Sequence, residues 1–283
     1  MAIKETIQGL LIYAAMAGYL LAFVVTLWHG HLGRVRINTG WKPVPRLLFL
    51  AGFLVGCAAL AYRWVDVRHI PLQNLFEVFL CLGVLAYPIS IFCNRVLRVG
   101  GVAADMLIGV IVLFPAGFVF NAEPQQLPPA LQSWLFGPHV LVYMLSYILM
   151  TKAAVQAGLQ LVWHGLPARE DTAKMAVPQL LSPEEATYRM VCAGFPLLTL
   201  GLVLGSIWGQ NAWGDWWGWD PKELWSLASW LVYVGYFHFR YMFGRRLPRI
   251  NSLWAVIGLV IIIITLLWVN LSRLFPGLHS YAM

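Results

Sequence analysis

Apolar residues recur along the chain in runs of about twenty, separated by short polar breaks, and a run of that length crosses a bilayer as a helix. Eight runs are read, over residues 8–28, 44–62, 74–94, 101–120, 138–163, 189–208, 225–243 and 252–271. None has a strong amphipathic period, as expected of helices surrounded by lipid and by one another. The pattern predicts an all-α, polytopic membrane bundle of about eight transmembrane helices, forming one integral-membrane domain over residues 1–283. The first run is too long for a signal-peptide core and no A-x-A-like site follows it, so it reads as the first span. The longest polar interruption, 164–188, reads as a cytoplasmic loop with a short surface helix. The sequence has no internal repeat and no low-complexity tract.

Composition agrees with this pattern. The chain is 60% hydrophobic and 11% charged, where a soluble domain is about a quarter charged; its mean hydropathy is +0.72. A net charge of +7 is what nucleic-acid binders carry, but in a membrane protein it reflects basic loops on the cytoplasmic side, and no nucleic-acid partner is expected. With the 209–224 segment placed outside, thirteen Lys and Arg residues fall in inner loops and five in outer ones, with Lys152 inside a span. That bias puts both termini and the tryptophan-rich segment on the external face. Cys57, Cys81, Cys93 and Cys192 all lie in apolar runs without a C-x-x-C, which points to buried packing and not to a redox motif or disulfide framework.

The stretch WGDWWGWDPKELW, Trp213–Trp225, carries the candidate chemistry. Part of it is a helix start. Asp220 suits the N-cap, Pro221 the first helical position and Glu223 the capping-box position. An interfacial aromatic belt explains two or three tryptophans, but seven of the chain's fourteen lie between Trp208 and Trp230. Gly209, Gly214 and Gly218 between them let the backbone fold closely under the rings. Rigid amphipathic rings at this density suit a large, flat, apolar ligand with polar edges. Haem fits, and histidine is the standard nitrogen ligand to its iron. His139 opens the fifth run and His279 follows the eighth, both on the external face. His238 stands about thirteen residues into the seventh run, roughly 20 Å below its outer end at ~1.5 Å per residue. An ionisable residue there is a functional candidate, the plainer reading being a hydrogen bond to a neighbouring helix. His69, His29, His31 and His164 read as interfacial, although His29 lies near His238 in depth.

WGDWWGWDPKELWSLASWLVY resembles the WWD signature of the haem-handling proteins of cytochrome c maturation. FPGLHSYA and the earlier PLQNLFEVF resemble the CcsA (ResC) branch of System II, and the likeness runs from about Pro71 to the end of the chain. The WWD motif is shared with the CcmC and CcmF proteins of System I; eight spans and the C-terminal histidine favour CcsA. The resemblance implies that His139 and His279 ligate haem held on an external WWD segment, 208–225, at Trp213, Trp216, Trp217, Trp219, Asp220 and Trp225. It implies that His238 ligates haem within the membrane, and that Asn74 and Glu77 belong to an NLFE motif at the outer start of the third span. The haem would be haem b, bound non-covalently as a substrate in transit. The implied partners are a CcsB/ResB-like membrane subunit, an apocytochrome c with a C-x-x-C-H motif, and a thioredoxin-like reductant acting on that apocytochrome. The implied setting is a bacterial plasma membrane, or a thylakoid membrane in a plastid. Other readings of the same residues are a haem exporter or chaperone of the CcmC type without ligase activity, a b-type cytochrome electron-transfer subunit, and a tryptophan-rich scaffold.

Overall fold

A computed structural model of the chain describes residues 6–32, 43–162 and 181–271. Eight long helices follow in order: α1 Ile7–Leu32, α2 Pro43–Val67, α3 Leu75–Arg95, α4 Val102–Phe118, α5 Phe136–Val162, α6 Pro183–Trp213, α7 Pro221–Phe243 and α8 Pro248–Leu271. The polytopic helical bundle expected from the hydropathy pattern is therefore present, and no strand occurs among the described residues. Six of the helices are long and apolar enough to cross a membrane; α4, with 17 residues, is shorter, and α7 is interrupted by polar side chains.

Several helices run beyond their expected spans, and α6 does so at both ends. The 164–188 segment reads as a loop with a short surface helix ahead of a sixth span from 189, but α6 already begins at Pro183. Ser182 caps it by accepting the Glu185 N–H at 3.2 Å, with Pro183 at N1 and Glu184 and Glu185 in the first turn. The rest of that segment, 163–180, lies outside the described residues. At its other end α6 runs on to Trp213, so the external segment expected from 209 begins at Gly214. The five extra residues are helical because Gly214 adopts a left-handed φ of +87° and sends its N–H back to Gln210 O at 3.1 Å, a glycine C-cap.

The bundle has two halves. In the first, α1 packs on α2 and α4, and α3 on α2 and α4; in the second, α5 packs on α6 and α8, and α7 on α6 and α8. The halves meet where α3 and α4 face α5. Successive helices are antiparallel, as side-chain bonds at their ends show. At one end Gln8 of α1 reaches Ala59 O of α2, and Arg63 of α2 reaches Glu77 of α3. At the other, Gln156 of α5 bonds Gly100 O, Arg189 of α6 bonds Leu97 O, and Arg240 of α7 pairs with Glu184 of α6. Lipid gives helices no hydrophobic reason to associate, so small residues and buried polar bonds carry the contacts. α1 and α2 approach closely at Gly18 and Gly52, where a Cβ on Gly18 would stand 2.9 Å from the Gly52 Cα.

One polar cluster joins the halves. The Lys152 ammonium of α5 pairs with the Asp105 carboxylate of α4, which also accepts from the Ser90 hydroxyl of α3; all three residues are buried. Removing one partner of such a pair strands the other charge, at a cost of about 3–5 kcal/mol. Lys152→Met is therefore expected to lower the melting temperature sharply, and Lys152→Met with Asp105→Leu to recover most of the loss. Thermal melts of the purified variants check both.

Candidate functional site

Where the N-terminal ends of α3, α5 and α7 meet the C-terminal ends of α6 and α8, an open cleft leaves about 1080 Å³ free of protein atoms, part of it continuous with solvent. The end that holds the tryptophan segment is the end that holds the cleft.

His139 enters from the first turn of α5. Its Nδ1–H donates to Gly201 O of α6 at 3.0 Å. That bond sets the tautomer and makes Nε2 the basic nitrogen, the arrangement that orients a metal-ligating imidazole. The ring stacks on Trp208 at 5.8 Å and meets the edge of Tyr143 at 5.1 Å. It can lie there because residue 205 is glycine: a Cβ would come within 2.6 Å of the His139 Cε1.

The tryptophan segment is a turn folded back on the last turns of α6. The Ser206 hydroxyl donates to Trp216 O at 2.8 Å, and Asp215 O lies 3.3 Å from where a Gly209 Cβ would stand. Trp219 holds a left-handed φ of +57°, which a bulky residue adopts only under constraint. The constraint is Glu223, whose Oε2 accepts from the N–H of Gly218 at 2.9 Å and of Asp220 at 3.1 Å. Asp220 caps α7 by accepting from the Lys222 N–H at 2.9 Å, so the capping box read from the sequence is formed.

The rings do not form one platform. Trp217 lines the cleft, with Trp208 beneath His139. Trp213 packs edge-on against Trp208 at 4.8 Å. Trp216 and Trp219 are exposed, at 59% and 67%, and with the half-buried Trp225 they do not line the cleft. Asn74 and Glu77 divide the same way. Asn74 caps α3, accepting the Glu77 N–H at 3.0 Å, and lines the cleft. Glu77 turns inward, is 1% exposed, and bonds Arg63 Nε at 2.9 Å and the Gln73 N–H at 2.8 Å. Arg63, expected in an outer loop, is instead a buried residue of α2 with its guanidinium over Phe76.

His238 is on the outward face of α7, exposed, in register with the exposed Leu224 and Leu231. His29 belongs to the other half and bonds its own helix at Val25 O. No bond or ring contact among the described residues joins the two histidines. His279 lies outside the described residues.

The structure adds cleft residues that the sequence did not single out: Gln73, Tyr143, Lys222, Ser226 and Asn270. Their signal was spacing, since Tyr143 and Ser226 each follow a cleft residue, His139 and Lys222, by four positions on one helix. Burial pushes the Lys222 ammonium down to about 8, opposed by the negative charge of Asp220. The folded protein therefore binds fewer protons than the unfolded chain between about 8 and 10.5, and stability rises with pH across that window. Lys222→Met is expected to abolish that rise, read as melting temperature against pH from 7 to 10.5.

Fold and cleft together define a polytopic membrane protein with an aromatic, histidine-bearing site at one end of its helices. Residues 71–276 match the family model described as Cytochrome C assembly protein, and the chain belongs to that family, with the CcsA proteins as its relatives. It is 34% identical to the cytochrome c biogenesis protein CcsA of Synechococcus sp. (strain RCC307), over 96% of this chain and 94% of that one. It is 32% identical to the protein of the same name from Prochlorococcus marinus (strain MIT 9303), over 95% and 91% respectively.

Proposed function

We propose that this protein serves cytochrome c maturation by carrying haem to the external face of its membrane and presenting it in the cleft for covalent attachment. The observation that supports the reading most is His139. Its tautomer is set by Gly201 O, and its ring stands beside Trp208 and Tyr143 in a cleft also lined by Trp217, Asn74 and Lys222. The cargo is haem b, bound non-covalently. His139 supplies one axial nitrogen and His279 the other; Trp217 offers an apolar face, and Lys222 a cation for a propionate. The remaining tryptophans act at one remove, Trp213 by supporting Trp208, Trp216 and Trp219 by presenting an aromatic surface to an arriving protein.

The chemistry is addition of the two thiols of an apocytochrome C-x-x-C-H motif across the haem vinyl groups. The chain's part is to hold the substrate in orientation. A CcsB/ResB-like membrane subunit is the partner, and a thioredoxin-like reductant keeps the apocytochrome thiols reduced. His238, exposed on the lipid side of α7, is suited to a haem station completed by a histidine of that partner subunit.

The purified protein, made with its partner, is expected to carry low-spin, six-coordinate haem. His139→Ala and His279→Ala are each expected to abolish maturation of a co-expressed cytochrome c, with partial rescue by added imidazole. Normal maturation in both variants rejects the ligand pair. Covalent product from this protein and its partner alone separates a ligase from an exporter.

The external placement of the cleft rests on the bias of basic residues. Arg46, Arg95, Arg98, Arg189, Arg240, Arg246 and Arg249 all belong to the opposite end of the bundle. A reporter that works only outside the cytoplasm is expected to be active when fused after Met283; activity of a cytoplasm-only reporter reverses the orientation.

A further inference from the structure

The residues of α7 that are fully withdrawn into the bundle are Ser229, Tyr233 and Tyr236. All three carry a hydroxyl. With Ser226 and Arg240 they form a stripe at spacings of 3, 4, 3 and 4, one face of the helix along its whole length. Ser226 lines the cleft, and Arg240 ends the stripe in the Glu184 cluster at the far end of the bundle. α8 carries the polar residues Asn251, Ser252, Thr265 and Asn270, of which Thr265 faces Ser229 of α7. Polar side chains at a seam between two lipid-embedded helices ordinarily bond one another across it.

The seam also concentrates buried polar atoms that have no hydrogen-bond partner in the protein: Tyr233 Oη, Tyr236 Oη, Ser252 Oγ, Asn251 Oδ1 and Asn270 Oδ1. Both amides are engaged only through their nitrogens, Asn251 to Glu184 and Gly244 O, Asn270 to Leu266 O. Buried polar atoms in proteins are bonded, and where the protein offers no partner, ordered water does. The other hydroxyls of the seam extend the same line. Ser229 Oγ lies 3.3 Å from Thr265 Oγ1, and Thr265, which lines the cleft, sits in the π-helical stretch Ile264–Trp268. π-Helical turns open the backbone ladder and are frequent at functional positions.

We infer that the seam between α7 and α8 is a water-binding channel, entered from the cleft at Thr265 and Asn270 and running past Tyr233 and Tyr236 to the Arg240–Glu184 pair. The waters complete the five unpaired atoms and hydrate the floor of the cleft from within the bundle. The Tyr233 ring packs directly on α8, where a Cβ on Gly258 would be 2.5 Å from its Cζ, so the path goes around the ring as single waters and admits no organic ligand. The inference does not rest on the haem reading.

Radiolytic footprinting of the full chain in lipid nanodiscs tests it. Radicals generated from bound water oxidise the side chains those waters touch, however deeply buried. Tyr233 and Tyr236 are expected to be modified at least several-fold faster than Tyr19, which is equally buried but donates to Gly83 O at 3.1 Å. Equal rates at the three tyrosines overturn the channel. A second measurement uses the combined variant Tyr233→Phe, Tyr236→Phe and Ser252→Ala. In a dry seam, removing unpaired hydroxyls stabilises the protein; in a wet one it removes bonds to water. A melting temperature no higher than the parent's supports the channel, and a clear rise overturns it.

Discussion

The close seating of α5 on α6 is the contact on which the cleft depends. Gly194, Gly201 and Gly205 of α6 receive Met150, Tyr143 and His139 of α5 in turn, and two α5 side chains bond the α6 backbone, Ser146 to Gly194 O and His139 to Gly201 O. An α6 carbonyl can accept from α5 only if no side chain stands between the helices. The glycines thus do two things: they bring the backbones together, which holds helices in lipid, and they aim the imidazole. His139 is set by a rigid helix pair and not by a loop, and a side chain so placed is held more precisely than one on a loop.

The turn above it works by a different balance. Its backbone is fixed by charge and capping. Glu223 gathers two N–H groups and Asp220 a third, and these bonds hold Trp219 in a conformation its side chain disfavours. With the backbone so fixed, the directions of the rings follow: one into the cleft, one onto Trp208, two outward. A dense tryptophan motif need not be a single surface; here it is a structural wedge, a wall and an exposed pair.

The pattern of apolar runs was enough for the eight helices and their order, because lipid demands long apolar segments with internal backbone bonds. The capping box at Asp220 was legible because it is local. Pairings between helices were not. Arg63 was counted as a loop cation because it stands at the edge of an apolar run, yet Glu77, fourteen positions on, draws it inside. Lys152 stood out as a charge in a span, but nothing near it in sequence names Asp105 as its partner. Ser182-Pro183-Glu184-Glu185 is a complete start signal for α6, but it stands in a stretch whose polar composition is that of a loop. Which tryptophans line the cleft depends on φ at Trp219 and on Glu223, and a residue count holds neither.

The two-half arrangement bears on how the chain is made. The first four helices close on one another, so they can settle in the membrane while the second half is still being synthesised. One requirement is left open: the Asp105 carboxylate has Ser90 for company but waits for Lys152, which arrives only with the fifth helix. Until then the Asp105 side chain has no countercharge within the first half. Entry of α5 thus brings the countercharge that seals α4, and the order of synthesis becomes part of how the bundle is assembled.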